Sequence, residues 1–315
     1  MRRFAILTTA VVMALGSAAC GSSSKSSSGS NETTTAAASQ TTEGGPTTTA
    51  APIDCSGTSA SVNDIGSASD FKPITADTLT VVTSLPGPGF WEGSDTDPTK
   101  ITSGYEYDIA KKMQSAFGLK NLVVRNENFD SITAGTVTKY DLSLSQISIT
   151  CDRAKVVKFS IPYFYSNQGV LVRKDFSQPL TSIADAQKLQ WGVQTSTTAI
   201  DLLDKIKPDK QPKVFQQLPD AYTALQAGQI DAVLIDTAIN LGEAARSNGA
   251  FKVIAQFSQP GGPDQYGAIL PKDSTNAPAI NAVLKQLADS GELKSLAQKD
   301  LTADPGTIPI INVPS

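Results

Sequence analysis

The segment Q-I-D-A-V-L-I-D, residues 229–236, reads as an apolar strand that runs out into polar residues at Asp236 and Thr237. The segment K-Y-D-L, residues 139–142, repeats this pattern earlier in the chain and gives way to polar residues over 145–150. Both segments follow a predicted helix, so two similar α/β lobes would produce the repeat. Because ligands of open α/β sheets bind beyond the carboxyl ends of the strands, we expect both strand ends to face one shared cleft.

Short apolar strands alternate with amphipathic helices from about residue 70 onward. For example, Tyr105, Ile109, Met113 and Phe117 are spaced four residues apart on one helical face, and Gly118 then ends the predicted helix. Alternation of this kind indicates mostly parallel sheets with helices on both faces. The predicted fold class is therefore α/β.

The composition argues against several classes of protein. A chain of 315 residues has room for two domains, and its net charge of −4 without a basic stripe predicts no nucleic-acid partner. The chain has no histidine, which removes the usual general base, the Ser/His and Cys/His pairs and most zinc sites. Carboxylate or lysine chemistry stays possible, but we expect no enzyme, no catalytic residue, no metal and no cofactor.

The N-terminus has the organisation of a secretory signal. Two arginines precede an apolar segment over residues 4–16, and small residues at 17–19 lead directly to Cys20. A cysteine in this place resembles the lipobox of bacterial lipoproteins, although Ser17 stands where leucine is usual. The resemblance implies a signal peptide over residues 1–19 and a lipid on Cys20 that anchors the chain to the cell membrane. Ordinary secretion with an unmodified cysteine is the alternative.

Residues 20–54 are predicted to form a tether between the anchor and the folded part. From residue 21 to about residue 52 the sequence is almost entirely serine, threonine, alanine and glycine, with few charges. Such a segment cannot bury enough apolar surface to offset the entropy lost on ordering, so we expect it to be flexible.

The cysteine count is odd, which requires an explanation in an exported chain. If Cys20 is acylated, Cys55 and Cys151 remain, and an oxidising compartment would favour a disulfide between them. The bridge would close a loop of roughly a hundred residues. By restricting the entropy of the unfolded chain, it would stabilise the fold by about 4–5 kcal/mol. Two unpaired thiols are the alternative.

Several blocks of sequence resemble the signatures of a known family. They are G-Y-E-Y-D-I-A at 104–110, S-I-T-C-D-R at 148–153 followed by V-K-F-S-I-P-Y-F at 157–164, G-V-Q-T-S-T-T at 192–198 and I-D-A-V-L-I-D at 230–236. In this order and spacing they are similar to bacterial extracellular solute-binding proteins, family 3, the amino-acid receptors of ABC importers. The block at 192–198 departs from the family pattern, because Ser196 replaces its usual glycine.

The resemblance implies a binding site for a zwitterionic amino acid. Arg153 would hold the ligand carboxylate, because a guanidinium is a planar, two-pronged donor, and Asp236 would accept from the ligand ammonium. Leaving either ligand charge unpaired in a closed cleft would cost several kcal/mol. The other implied contacts are donors from Ser148 and Thr198, the backbone carbonyl of Gln146, and apolar walls from Phe129 and Trp91.

Each of these residues also has a structural interpretation. Arg153 could form a surface ion pair, and Asp236 could cap the helix that follows it. The two hydroxyl residues could be ordinary turn or cap residues, and the two aromatic residues could belong to the core.

The resemblance also implies a fold and a function. The fold is of the type II periplasmic-binding-protein kind, with a ligand cleft between lobe 1, residues 55–173 plus 267–315, and lobe 2, residues 176–262. Crossing segments near 172–175 and 259–266 would join the lobes. The protein would be an extracytoplasmic, lipid-anchored monomer that delivers a polar amino acid, such as glutamine, glutamate or aspartate, to an ABC permease. A dehydratase-like enzyme on the same fold and an amino-acid sensor for a signalling partner are the alternatives.

Overall fold

The computed structural model describes residues 53–301 and 305–314. The predicted signal peptide, Cys20 and the predicted tether up to residue 52 lie outside the described residues. Within the described part of the chain, no helix combines the length and the apolar character needed to cross a membrane.

Strands and helices alternate along most of the chain, as the sequence predicts. In chain order the strands are β1 (Thr78–Thr83), β2 (Asn121–Asn126), β3 (Leu142–Ser143), β4 (Val157–Ser166), β5 (Gln168–Arg173), β6 (Trp191–Gln194), β7 (Lys213–Phe215), β8 (Ala232–Asp236), β9 (Phe251–Ser258), β10 (Asp264–Pro271) and β11 (Ile310–Asn312). The helices are α1 (Tyr105–Ala116), α2 (Phe129–Thr133), α3 (Cys151–Ala154), α4 (Ile183–Gln187), α5 (Thr198–Ile206), α6 (Leu218–Gln226), α7 (Thr237–Arg246), α8 (Ala277–Asp289) and α9 (Glu292–Asp300).

The strands form two mixed sheets, which define two α/β lobes. The first sheet has the order β2-β1-β3-β10-β4 and the second the order β11-β9-β5-β8-β6-β7. In the first, β1 pairs parallel with β2 and β3, while β10 is antiparallel to β3 and β4. In the second, β6 pairs parallel with β7 and β8, β5 is antiparallel to β8 and β9, and β11 is parallel to β9. The fold is the type II periplasmic-binding-protein fold that the sequence predicts.

Helix α1 shows how apolar spacing builds the first lobe. Tyr105, Ile109 and Met113 are completely buried, whereas Phe117 ends the helix and is only partly buried. The ring of Phe117 stacks on that of Phe71, with ring centroids 3.9 Å apart. The predicted helix and its buried face are therefore confirmed.

Strand β4 contains a proline, and the sheet accommodates it with an irregularity. Pro162 lies opposite Gly267 of β10, and the register between the two strands shifts on both sides of Gly267. A proline cannot donate to the strand ladder, so a bulge at this point keeps the pairing intact on either side.

The predicted lobe boundaries are wrong in two places. Residues 168–173, predicted to belong to lobe 1, form β5 in the second sheet, so the first crossing is at Asn167 rather than near 172–175. Residues 310–312, also predicted to belong to lobe 1, form β11 on the edge of the second sheet. In both cases the apolar pattern reveals a strand but carries no information about which sheet it joins.

Cys55 and Cys151 form a disulfide, which confirms the predicted pairing. Cys151 is the first residue of α3, so the bridge fastens the beginning of the described chain to that short helix. Arg153 lies on the same helix two positions later.

Candidate functional site

A cavity lies between the two lobes, at the carboxyl ends of strands from both sheets. Ser84 follows β1, Ser145 follows β3, Gln194 ends β6 and Asp236 ends β8, and all of them line the cavity. Its empty volume is about 520 Å³, including the solvent at its mouth. This is the shared cleft that the repeated strand pattern predicts.

Arg153 reaches across this cleft from the first lobe to the second. Its guanidinium donates to the carbonyl oxygens of Ser148 and Ser196, both at 2.7 Å. It also lies over the ring of Phe129, 5.6 Å from the ring centroid. A guanidinium has more N–H donors than these contacts use, so donors remain for a carboxylate. The surface-ion-pair interpretation of Arg153 does not describe this geometry.

The backbone conformation of Ser196 shows why the family usually has glycine at this position. Its φ is +62°, in the left-handed region that glycine enters most readily. Serine adopts the same turn here, and its carbonyl oxygen still accepts from Arg153.

Asp236 is buried at the far wall of the cavity, with 4% of its surface exposed. Its side chain makes no capping hydrogen bond to α7, so capping does not account for it. Gln168 Nε2 donates to Asp236 Oδ1 over a long 3.3 Å. Burial raises the pKa of Asp236 well above its ordinary value, and the neighbouring Asp264 carboxyl raises it further. A cationic group in the cavity would act against both effects and lower the pKa of Asp236.

Asp264 is a residue of the site that sequence reasoning missed. Its Oδ2 accepts from Gln168 Nε2 at 2.7 Å, from Gln259 Nε2 at 3.2 Å and from Thr198 Oγ1 at 3.4 Å. Burial raises the pKa of Asp264, while the bond from Gln168 and the charge of Arg153 act against this increase. Asp264 begins β10 directly after the second crossing and lies in none of the motifs, so the sequence offered no signal for it.

Both predicted hydroxyl residues, Ser148 and Thr198, belong to the wall of the cavity. Ser148 is buried and lines the cavity, and Thr198 lines it as the first residue of α5. The preceding Thr197 does not cap α5 with its side chain but donates to the carbonyl oxygen of Gln194 at 2.7 Å. The N-terminus of α5 therefore adds helical N–H groups to the Arg153 end of the cavity, an arrangement that favours anions.

Gln146 also lines the cavity, and a buried carboxyl holds it in place. Its φ is +50°, and its backbone N–H donates to Glu106 Oε1 at 2.8 Å. Glu106 is completely buried and also accepts hydrogen bonds from the side chains of Gln146, Trp91 and Tyr163. Burial raises the pKa of Glu106 to about 7, although these hydrogen bonds act in the opposite direction.

The two predicted aromatic walls have different places. Phe129 lines the cavity under Arg153, as expected. Trp91 does not line the cavity: it is 2% exposed, belongs to the core of the first lobe and donates to Glu106 Oε2 at 2.7 Å. Its structural interpretation therefore describes the observed position.

The lobes also touch through side-chain contacts other than those of Arg153. Gln217 Nε2 of the second lobe donates to Asn128 Oδ1 of the first at 3.0 Å, and Arg246 pairs with Asp95 across the cleft at 2.8 Å. Together with the bonds of Arg153, these contacts describe a closed cleft. Among the described residues, no group of three or more potential ligands is placed to hold a metal ion.

Known proteins share both the sequence pattern and the fold. Residues 92–302 match the family of bacterial extracellular solute-binding proteins, family 3. The arginine-binding periplasmic protein of Mannheimia haemolytica is 28% identical over 202 residues, covering 62% of this chain and 81% of that protein. The ABC transporter glutamine-binding protein GlnH of Bacillus subtilis (strain 168) is 28% identical over 212 residues, covering 64% of this chain and 74% of that protein.

One solved structure with the same fold is related to an enzyme. It is the ancestral amino acid-binding protein AncCDT-1, a precursor of cyclohexadienyl dehydratase, with a TM-score of 0.61 and 26% identity. The likeness covers 72% of this chain and 96% of that one. The matched residues contain all of the motif blocks, and the chain belongs to the bacterial extracellular solute-binding proteins, family 3.

Proposed function

We propose that the protein captures an α-amino acid with a polar side chain, such as glutamine, glutamate or aspartate, and delivers it to an ABC permease. One observation carries the proposal: Arg153 and Asp236 line one cavity from different lobes and carry opposite charges. An α-amino acid presents a carboxylate to the first and an ammonium to the second. The relatives named above, which bind arginine and glutamine, support an α-amino acid as the ligand.

The placement of the two charges also explains how binding would close the cleft. A ligand held by Arg153 on the first lobe and Asp236 on the second satisfies both only when the lobes are together. Binding therefore shifts the population toward the closed state, which the permease would recognise. We expect the protein to act as a monomer in this cycle.

The lipid anchor belongs to the same proposal. Residues 1–19 would be removed and Cys20 acylated, which would keep the binding lobes at the outer face of the cell membrane. Replacing Cys20→Ala should release the protein from the membrane fraction into the medium. Unchanged retention of the variant in membranes would contradict the anchor.

An enzyme is the second candidate, and a specific observation favours it. Asp236 and Asp264 are neighbouring buried carboxyls with raised pKa values, a property of general acids, and a dehydratase precursor shares the fold. Asp236 is nevertheless the group best placed to accept the ligand ammonium. Turnover of prephenate or arogenate by the purified protein would favour the enzyme. A sensor would bind the same amino acid but leave uptake unchanged when the gene is deleted.

The test of the binding function is isothermal titration calorimetry with the common amino acids on wild type and on Arg153→Ala. We expect affinity to fall by at least about 100-fold, because a buried ligand carboxylate loses its charged partner. Arg125→Ala is the matched control: Arg125 lies on β2 in the same lobe and does not line the cavity. Wild-type affinity in Arg153→Ala would contradict the proposed role of the guanidinium.

A further inference from the structure

We infer that the side chain of the bound amino acid is polar but uncharged, which excludes glutamate, aspartate, lysine and arginine as preferred ligands. The inference rests on the proposed function and narrows it. It follows from the charges that line the cavity, from a second acid behind the cavity and from the ion pairs at its outer end.

The cavity lining carries no spare charge for a ligand side chain. Within the described part of the chain, Arg153 and Asp236 are the only charged residues that line it. The carboxylate and ammonium of an α-amino acid occupy both. A further charge on the ligand side chain would be buried without a partner, and burial of an unpaired charge is strongly unfavourable.

Asp264 makes an anionic side chain still less favourable. Its carboxyl contacts Gln168 and Thr198 at the edge of the site and acts on Arg153 electrostatically. Asp264 does not line the cavity, and hydrogen bonds from Gln168, Gln259 and Thr198 hold its carboxyl, so it is not free to pair with a cationic side chain. Its negative charge would still repel an acidic side chain, and Arg153 is already paired with the ligand carboxylate.

The outer end of the cavity is where a long side chain would reach. Leu85, Pro86, Gln217 and Pro219 line both the cavity and a wider opening outside it. These residues therefore separate the ligand's α-groups from solvent, and they are uncharged.

The acids of that outer opening are already paired. Asp95 binds Arg246 at 2.8 Å, and Glu127 binds Arg125. A lysine or arginine side chain that extended this far would have to displace an existing arginine from one of these acids. The opening therefore offers no gain in charge pairing to a cationic ligand.

The remaining lining suits a side chain with an apolar stem and a polar tip. Gln194 Nε2 donates to the carbonyl oxygen of Gln216 and Gln217 Nε2 to Asn128 Oδ1, and each amide has a second N–H and an oxygen acceptor besides. Leu218 and Ile239 supply apolar surface. Hydrogen-bonding groups of both kinds favour a carboxamide or hydroxyl over a purely aliphatic side chain.

The test is calorimetry at pH 7 on the mature protein with glutamine, asparagine, serine, glutamate, lysine and leucine. We expect at least one uncharged polar ligand to bind about 10-fold or more tightly than glutamate, lysine and leucine. A smaller preference, or tighter binding of a charged or aliphatic ligand, overturns the inference and leaves amino-acid binding intact. If no amino acid binds, the proposed function itself fails.

A charge placed at the outer end gives a second, independent readout. Gln217→Glu should raise the affinity for lysine relative to glutamine by about 5-fold or more, because the new carboxylate would face the ligand side chain. The matched control is Gln216→Glu, an exposed neighbour that does not line the cavity. An unchanged ratio in Gln217→Glu, or an equal change in the control, would show that the ligand side chain does not point there and would overturn the inference.

Discussion

Two buried acids lie on either side of the cleft wall, and their surroundings differ. Glu106 of the first lobe accepts hydrogen bonds from Trp91, Tyr163 and both the backbone and side chain of Gln146. Asp236 of the second lobe accepts a long bond from Gln168 and lies beside another carboxyl, Asp264. Both are almost completely buried, with exposed fractions of 0% and 4%.

The difference separates a structural acid from the acid that we propose for ligand binding. Glu106 is surrounded by donors that belong to its own lobe, so its role is complete without a ligand. Asp236 faces a cavity, and burial and the neighbouring Asp264 raise its pKa, while a hydrogen bond from Tyr266 and the charge of Arg153 act against this increase. A buried acid in that condition is suited to a cation that arrives and leaves.

The largest expected effect comes from Asp236→Asn, which removes the binding charge and keeps the shape. Amino-acid affinity should fall by more than about 100-fold, because the ligand ammonium would be buried without its partner. The unfolding temperature of the ligand-free protein should stay the same or rise, since an undercompensated buried charge has been removed. Calorimetry and thermal unfolding of the same preparation give both values.

If Asp236→Asn lost as much stability as Glu106→Gln, the two acids would have the same structural role and the proposed difference would be wrong. A suitable control for the binding assay is Asp231→Asn, at the entry to β8 and outside the cavity lining. It should retain ligand affinity.

For Glu106→Gln we expect a smaller effect, and we expect it on the stability of the fold rather than on ligand affinity. The pKa of Glu106 rises from 4.5 to about 7 on folding, so between these pH values the folded state keeps a proton that the unfolded state has lost. Stability therefore decreases as pH rises through this window, by about 3 kcal/mol when the whole shift is counted. Glu106→Gln should lack this contribution.

Urea unfolding at pH 5 and pH 8 measures the difference. The variant should lose stability at pH 5, where it forfeits hydrogen bonds, and should show a smaller decrease between the two pH values than wild type does. An identical decrease in both proteins would mean that Glu106 does not titrate in this range.

The sequence predicted the Asp236 side of this comparison, and the reasons are local. Arg153, Asp236 and Thr198 lie in contiguous blocks whose spacing is set by one strand or helix turn, so a family resemblance places them at the cleft. Glu106 lies in the block at 104–110, but its partners Tyr163 and Gln146 come from distant segments. The sequence therefore does not reveal that its carboxyl accepts all of these hydrogen bonds, because the donors meet only in the folded chain.

The errors arose where sheet membership or tertiary contact decides. Residues 168–173 read as an apolar strand in either lobe, and only pairing with β8 and β9 assigns them to the second. Trp91 is an aromatic residue near a motif, yet its indole N–H turns to Glu106 rather than to the cavity. Asp264 reaches the site through the second crossing, and no local pattern marks such a position.

The smallest expected effect comes from Asp264→Asn, and it tests why Asp236 differs from Glu106. Binding of an ammonium requires an ionised Asp236, so ligand affinity should increase as pH rises through the pKa of that residue. Removing the neighbouring negative charge lowers the pKa of Asp236, so the increase should occur at lower pH in the variant. Calorimetry with the best uncharged ligand over a series of pH values measures the midpoint, with the exposed Asp209→Asn of the second lobe as the matched control. Glutamate should also gain a few-fold relative to glutamine, because one repelling acid is gone. A midpoint that does not move would mean that burial alone raises the pKa of Asp236, and the contrast with Glu106 would then rest on hydrogen bonding rather than on the paired carboxyl.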